Sequence, residues 1–153
     1  MRIVKLAASS AFCVLAALGQ SIPVNFPTLH GHRFVLLSLD GFPEHVFPVR
    51  DRGVAAEMKG ILLERFLWAA GWDHLPPDGD RSRYRVRVEG SGNSATFTLA
   101  ELEPGSLEKR VLLVRERDGK RVPWGEAPLL VVVDEDGVVT ETIKGVLSIR
   151  VTE

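Results

Sequence analysis

The chain has 153 residues, of which 45% are apolar, 25% charged and 7% aromatic. With Lys+Arg 19 against Asp+Glu 20 the formal net charge is −1, so no overall field draws the protein toward nucleic acid or an anionic membrane. The single cysteine, Cys13, excludes a disulfide framework, an iron–sulfur site and any multi-cysteine zinc site, and the length suits one domain.

Met1 to Gln20 reads as a secretory signal. Arg2 and Lys5 give a positive start, Leu6 to Leu18 form an apolar run interrupted by Ser9 and Ser10, and Ala17-Leu18-Gly19 offers small residues where a signal peptidase reads. The run is shorter than the roughly 20 apolar residues a bilayer-spanning helix needs, so no membrane span is expected after cleavage. Cleavage after Gly19 assigns residues 1–19 to the signal and 20–153 to the domain. It removes Arg2, Lys5 and Cys13, leaving 17 basic against 20 acidic residues, a net charge of −3. The expected location is periplasmic or secreted, and the mature chain carries no thiol chemistry.

Beyond the signal, Ile22 to Pro27 cannot be helical, because two prolines remove donors and push their predecessors toward extended geometry. Arg33 to Leu39 has strand character and ends in turn residues. Glu44 to Arg50 and Val54 to Met58 flank the polar turn Asp51-Arg52-Gly53, the pattern of a hairpin. Ile61 to Ala70 is the one clear helix. Leu62, Leu63, Phe66, Leu67 and Ala70 follow the three-and-four spacing of a buried face, Glu64 and Arg65 point elsewhere, and Gly71 stands at the C-terminal cap. Pro76-Pro77-Asp78-Gly79 prevents continuation.

The period then changes to two. Tyr84, Val86 and Val88 alternate with Arg83, Arg85, Arg87 and Glu89, as in a strand with one wet face. Ala95 to Leu99, Arg110 to Glu116 and Ile143 to Val151 are further strands, and Pro128 to Val133 reads as a strand buried on both faces. About seven strands and one main helix, with strands adjacent in sequence, predict a β-rich α+β domain.

Five features bear on chemistry. His30-Gly31-His32 puts two imidazoles on one side of an extended segment, a spacing able to chelate zinc or copper, but no third ligand lies nearby, so no metal site is assigned. Arg81, Arg83, Arg85 and Arg87 at period two share one strand face, a stripe able to hold an anion through bidentate contacts or simply a solvated face paired with Glu on neighbouring strands. Without aromatic residues between the arginines, nucleic acid is not expected there. Asp134-Glu135-Asp136-Gly137 reads as a hairpin turn rather than a calcium loop, since Val138 and Val139 occupy later ligand positions. Trp68 and Trp72 read as packing residues, and no serine has a His and Asp arrangement for nucleophilic catalysis. No catalytic residue is assigned.

Several segments, in order, resemble the molybdopterin-binding domain of sulfite-oxidase-type oxidoreductases. They are Phe34–Pro43, Lys59–Gly71, Gly92–Leu102, Val111–Lys120, Pro128–Val133 and Ile143–Val151. The resemblance implies that family's fold and, around its cofactor cleft, Asn93, Leu130 and Lys144. It also implies a molybdenum-binding cysteine near Phe47–Asp51, where this chain has none. The family's tyrosine falls on Asn93, its arginine on Leu130 and its tryptophan on Gly145, and Lys144 alone matches. Without the thiolate, the expectation is a non-catalytic module binding an anion, a cofactor or a partner, with Asn93, Leu130 and Lys144 as the cleft and Arg83, Arg85 and Arg87 as alternative anion sites. The alternatives are a molybdopterin-dependent oxidoreductase acting on a small oxyanion or sulfoxide, and a structural subunit. No cofactor is expected from the residues themselves; molybdopterin is implied by the resemblance alone. The expected partners are a small anionic ligand or an exported protein.

Overall fold

Pro23 and Pro27 shape the first strand of the structure, a computed structural model that describes residues 21–28, 30–72, 81–103 and 109–153. The expected signal, Cys13, His74, the Pro76–Gly79 loop and the Pro104-Gly105 turn lie outside the described residues. β1 (Ser21–Thr28) is antiparallel to β2 (Gly31–Ser38) in unbroken register from Ser21↔Ser38 to Thr28↔Gly31. A proline cannot donate to a ladder, so Pro23 and Pro27 occupy non-hydrogen-bonded positions toward β2. On its other side β1 runs parallel to the last strand, in register at Val24↔Ile149 and Asn25↔Arg150, between the two prolines.

The remaining elements follow in chain order. β3 (His45–Asp51) and β4 (Val54–Leu62) form the expected hairpin and lead into α1 (Leu63–Ala70). Then come β5 (Arg85–Glu89), β6 (Ser94–Thr98), β7 (Lys109–Arg117), the two-residue β8 (Lys120–Arg121), β9 (Leu129–Asp134), β10 (Val139–Ile143) and β11 (Ser148–Thr152). Among the described residues there are thus eleven strands and one α-helix, in two sheets of a single β-rich domain, where periodicity predicted about seven strands. The first sheet has the order β2-β1-β11-β5-β6. The second is β10-β9-β7-β4-β3, with β8 beside β7.

The helix is shorter than its pattern suggested. Ile61 and Leu62 belong to β4, registered against Leu113 and Leu112 of β7. Their apolar side chains serve strand alternation instead: Ile61 faces the core between the sheets, and Leu62 packs on the second sheet's other side. Leu63, Phe66, Leu67 and Ala70 form the buried face as expected. Gly71 ends the helix at φ 132°, its N–H donating to the carbonyls of Leu67 (3.1 Å) and Trp68 (3.2 Å). Trp72 is buried in the core, whereas Trp68 points outward.

Both faces of the second sheet are apolar. Val111, Leu113, Leu130, Val132 and Ile143 meet Val86, Val88, Ile149 and Val151 of the first sheet, together with α1. The opposite face, with Val49, Met58, Leu112, Val114, Val131 and Val133, forms a second cluster. It is enclosed because the sheet curls until its edges meet. The Arg50 N–H donates to the Gly137 carbonyl at 2.8 Å, and Arg50 bridges Val138 in parallel. The result is a small barrel with an apolar interior, and β9 is buried on both faces as its unbroken apolar run implied.

Two local devices allow this curvature. The β4–β7 register shifts between Lys59 and Gly60, and a Cβ on Gly60 would stand 2.0 Å from the Leu113 carbonyl oxygen, so only glycine lets the strands approach there. Arg115, at the shift, holds Asp40 and Glu44 through its two terminal nitrogens and so ties the β2–β3 connection to β7. Burial acts to lower the Arg115 pKa, but these two carboxylates outweigh it and raise it, so the clasp stays charged.

Candidate anion-binding cleft

Two hairpins meet at one end of the barrel. Asp51↔Val54 closes the first around Arg52-Gly53, and Arg117↔Lys120 closes the second around Asp118-Gly119. Both pairs of turn residues have positive φ: 52° and 78° in the first, 51° and 78° in the second. That is the type I′ geometry whose twist suits adjoining strands, and it favours Asp-Gly over Arg-Gly. Arg52 therefore holds a backbone conformation that its own side chain does not favour.

Between these tips and the β9–β10 side lies a cleft of about 900 Å³. Basic residues Arg52, Arg117, Lys120, Arg121 and Lys144 line it, against acidic Asp51, Glu126 and Glu141. Two of the five cations are committed. Arg117 Nη1 meets Asp51 Oδ2 at 2.7 Å, and Lys144 Nζ meets Glu126 Oε1 at 2.9 Å. Arg52, Lys120 and Arg121 make no ion pair with a described side chain, which leaves three guanidinium or ammonium groups at the rim to receive an anion. Val122 and Val139, half-buried against the barrel cluster, give the cleft an accessible apolar floor, while Met58 and Leu129 border it but are buried. The cleft is the open end of the barrel's interior.

The residues singled out in the sequence are distributed differently. Lys144 lines this cleft. Asn93 sits in the turn after β5, which is strapped to the segment before Lys144: Ser91 N–H donates to the Lys144 carbonyl at 3.0 Å, and Asn93 Nδ2 donates to the Thr142 carbonyl at 3.4 Å. Asn93 and Lys144 thus come from neighbouring backbone, but Asn93 does not line the cleft. Leu130 is fully buried in the core between the sheets and has no surface to offer a ligand.

The arginine stripe is also shorter than its period implied. Residues 81–83 form a 3-10 turn, so Arg83 precedes β5, and Arg85 and Arg87 alone lie on the strand. Arg83 pairs with Glu153 (2.6 Å), Arg85 donates to the Ser82 carbonyl (2.7 Å), and Arg87 pairs with Glu89 on its own strand (2.9 Å) rather than on a neighbour. Arg150 of β11 stands opposite Arg87, a juxtaposition that period-two reading of one strand cannot reveal.

The stretch where the resemblance implies a molybdenum ligand does not fit that metal. It forms β3, with Phe47 and Val49 packed against the barrel cluster and the Asp51 carboxylate engaged by Arg117, and it supplies no soft donor. Among the described residues no group of three His, Cys, Asp or Glu side chains is placed to hold a metal ion. His30 stands in the β1–β2 turn and His32 on β2. Asp134 Oδ1 accepts from the N–H groups of Asp136 and Val138, both at 2.9 Å, which makes the acidic segment the turn of the β9–β10 hairpin.

Sequence reasoning missed Arg52, Lys120 and Arg121 as candidates. Each sits in or beside a polar turn, where charge is unremarkable. Only the β4–β7 register, which sets Met58 opposite Arg117, brings the two turns to one barrel end. In comparisons with known proteins, no family model matches the chain and no curated protein matches it. No helix among the described residues is long and apolar enough to cross a membrane.

Proposed function

We propose that the protein is an exported, non-catalytic binding module that receives a small anion at the open end of its barrel. The observation that carries this reading is the charge inventory of the cleft, five basic groups against three acidic ones, with Arg52, Lys120 and Arg121 in no ion pair with a described side chain. Cations held at the mouth of a concavity with an apolar floor bind anions better than the same cations on a flat wet face, because the local dielectric is lower.

The test is calorimetric titration of the chain with inorganic phosphate and sulfate at low ionic strength. One-to-one saturable binding is expected, weakened by added salt. Charged hydrogen bonds contribute roughly 1.5–3 kcal/mol each, so Lys120→Ala with Arg121→Ala should weaken binding at least about tenfold. Arg85→Ala with Arg87→Ala should leave it unchanged. Absence of saturable binding, or loss in the β5 pair instead, overturns the proposal. Export is checked by the N-terminal mass of exported protein, expected at Gln20 or within a few residues of it. Protein made in a host that synthesises molybdenum cofactor is expected to carry far less than one molybdenum per chain; stoichiometric metal with sulfite-dependent electron transfer would establish the oxidoreductase instead.

A further inference from the structure

We infer that the cleft takes an amphipathic organic anion: an apolar body seated on the open barrel end, with a carboxylate, sulfonate or phosphate head held by Arg52, Lys120 and Arg121. This rests on the anion-binding reading above and specifies its ligand.

Size is the first argument. About 900 Å³ lies within the range of roughly 300–1,000 Å³ typical of organic-ligand sites and far exceeds what an inorganic anion fills. The floor is the second. Val122 and Val139, half-buried against the barrel's interior cluster, are the accessible apolar lining of the cleft, so a bare inorganic anion would sit beside an apolar surface it cannot use. At the rim, Val54 is 62% exposed, and Trp124, 74% exposed, follows the lining residue Pro123. Apolar surface beside three cations without an ion-pair partner among the described residues suits a molecule with one apolar and one anionic part.

Polarity is the third argument. A smaller cavity of about 270 Å³ lies beside the β9–β10 turn, where Asp134, Glu135 and Asp136 outnumber Arg110. The barrel thus presents a basic cavity and an acidic one. An anionic head is directed to the basic one, where both hairpin tips extend long cationic side chains. At Arg52 a left-handed turn position favoured by Asn, Asp or Gly is held by arginine, whose guanidinium makes no ion pair with a described side chain.

The test uses the whole chain and three probes: 1-anilinonaphthalene-8-sulfonate, its uncharged relative N-phenyl-1-naphthylamine, and inorganic sulfate. The sulfonated dye should bind one to one, at least tenfold tighter than either of the others, and should raise the urea midpoint, which dye adsorbed on unfolded chain would not do. Lys120→Ala with Arg121→Ala should weaken it at least tenfold and leave the neutral dye unchanged. Val54→Asn, an uncharged polar change at an exposed rim position, should also weaken dye binding while leaving sulfate binding unchanged.

If sulfate binds as tightly as the dye and Val54→Asn is without effect on the dye, the inference falls while the anion-binding reading stands. If the two dyes bind alike and neither responds to loss of Lys120 and Arg121, both fall. Monomeric octanesulfonate should displace the dye. Displacement by phosphatidylglycerol vesicles alone overturns the inference in favour of a membrane surface.

Discussion

Arg52 shows how a single residue can be costly to the fold. Its φ of 52° is one that a side chain with a Cβ adopts at a penalty of about 1 kcal/mol or more, and Asn suits the first position of an I′ turn far better. Arg52→Asn is therefore expected to raise the urea midpoint by the equivalent of about 1 kcal/mol while weakening anion binding. A substitution that stabilises without loss of binding would remove Arg52 from the site. Gly60 is the opposite case. Gly60→Ala places a Cβ 2.0 Å from backbone that cannot yield, so severe destabilisation is expected where an ordinary surface change costs less than about 0.5 kcal/mol. Phe66→Ala should cost roughly 3–5 kcal/mol through lost burial and the cavity left in the core. These positions were not equally legible in sequence. Phe66 followed from helical spacing, whereas the need for Gly60 arises only from the approach of a strand some fifty positions away.

At the scale of elements, the readable parts were those whose signal is local. The alternation of Tyr84, Val86 and Val88, the two turn-marked hairpins, and the glycine that ends α1 all depend on neighbours within a few residues. The start of α1 was misread because Ile61 and Leu62 satisfy helix spacing and strand alternation alike; the ladder to β7 decides between them, and no local pattern contains it. The 3-10 turn Ala100–Leu102, after β6, carries a signal that the sequence itself spells. Thr98 and Glu101 have the spacing of a capping box, and the structure forms it: Glu101 N–H donates to Thr98 Oγ1 at 3.2 Å, and Thr98 N–H donates to Glu101 Oε2 at 2.7 Å. Burial acts to raise the Glu101 pKa, but the Thr98 N–H and the Lys109 ammonium outweigh it, and the net shift is downward. A carboxyl with a lowered folded pKa contributes stability that is whole above its unfolded pKa and is lost as pH falls through the folded one. The stability difference between the parent and Glu101→Gln should therefore be greatest at neutral pH and shrink in acid. A constant difference across that range would assign the effect to hydrogen-bond geometry rather than charge.

The whole molecule depends on a closure that no sequence pattern announces. Strand periodicity shows that β3, β4, β7, β9 and β10 exist, but not that their sheet curls, and the cleft exists only because it does. The seam is narrow. Pro48, two residues before Arg50 on β3, has no hydrogen to donate. The Arg50 N–H therefore carries the β3 side of the closure, through its 2.8 Å bond to Gly137. Asp51 and Val139, one on each side of that seam, line the cleft. Arg50→Pro removes this donor and sets its ring Cδ where the hydrogen pointed at the Gly137 oxygen, so it should cost more than the roughly 0.5–1.5 kcal/mol net value of one hydrogen bond. Arg50→Ala keeps the N–H and changes only an exposed side chain, so it should behave as the parent. Hydrogen exchange separates the two: in Arg50→Pro the β10 amides should exchange faster while β5 and β6, in the other sheet, are unaffected. Anion affinity should fall with the same substitution, because the seam fixes one wall of the cleft. If Arg50→Pro matches Arg50→Ala in both exchange and binding, the seam does not shape the site, and the hairpin tips alone position its cations.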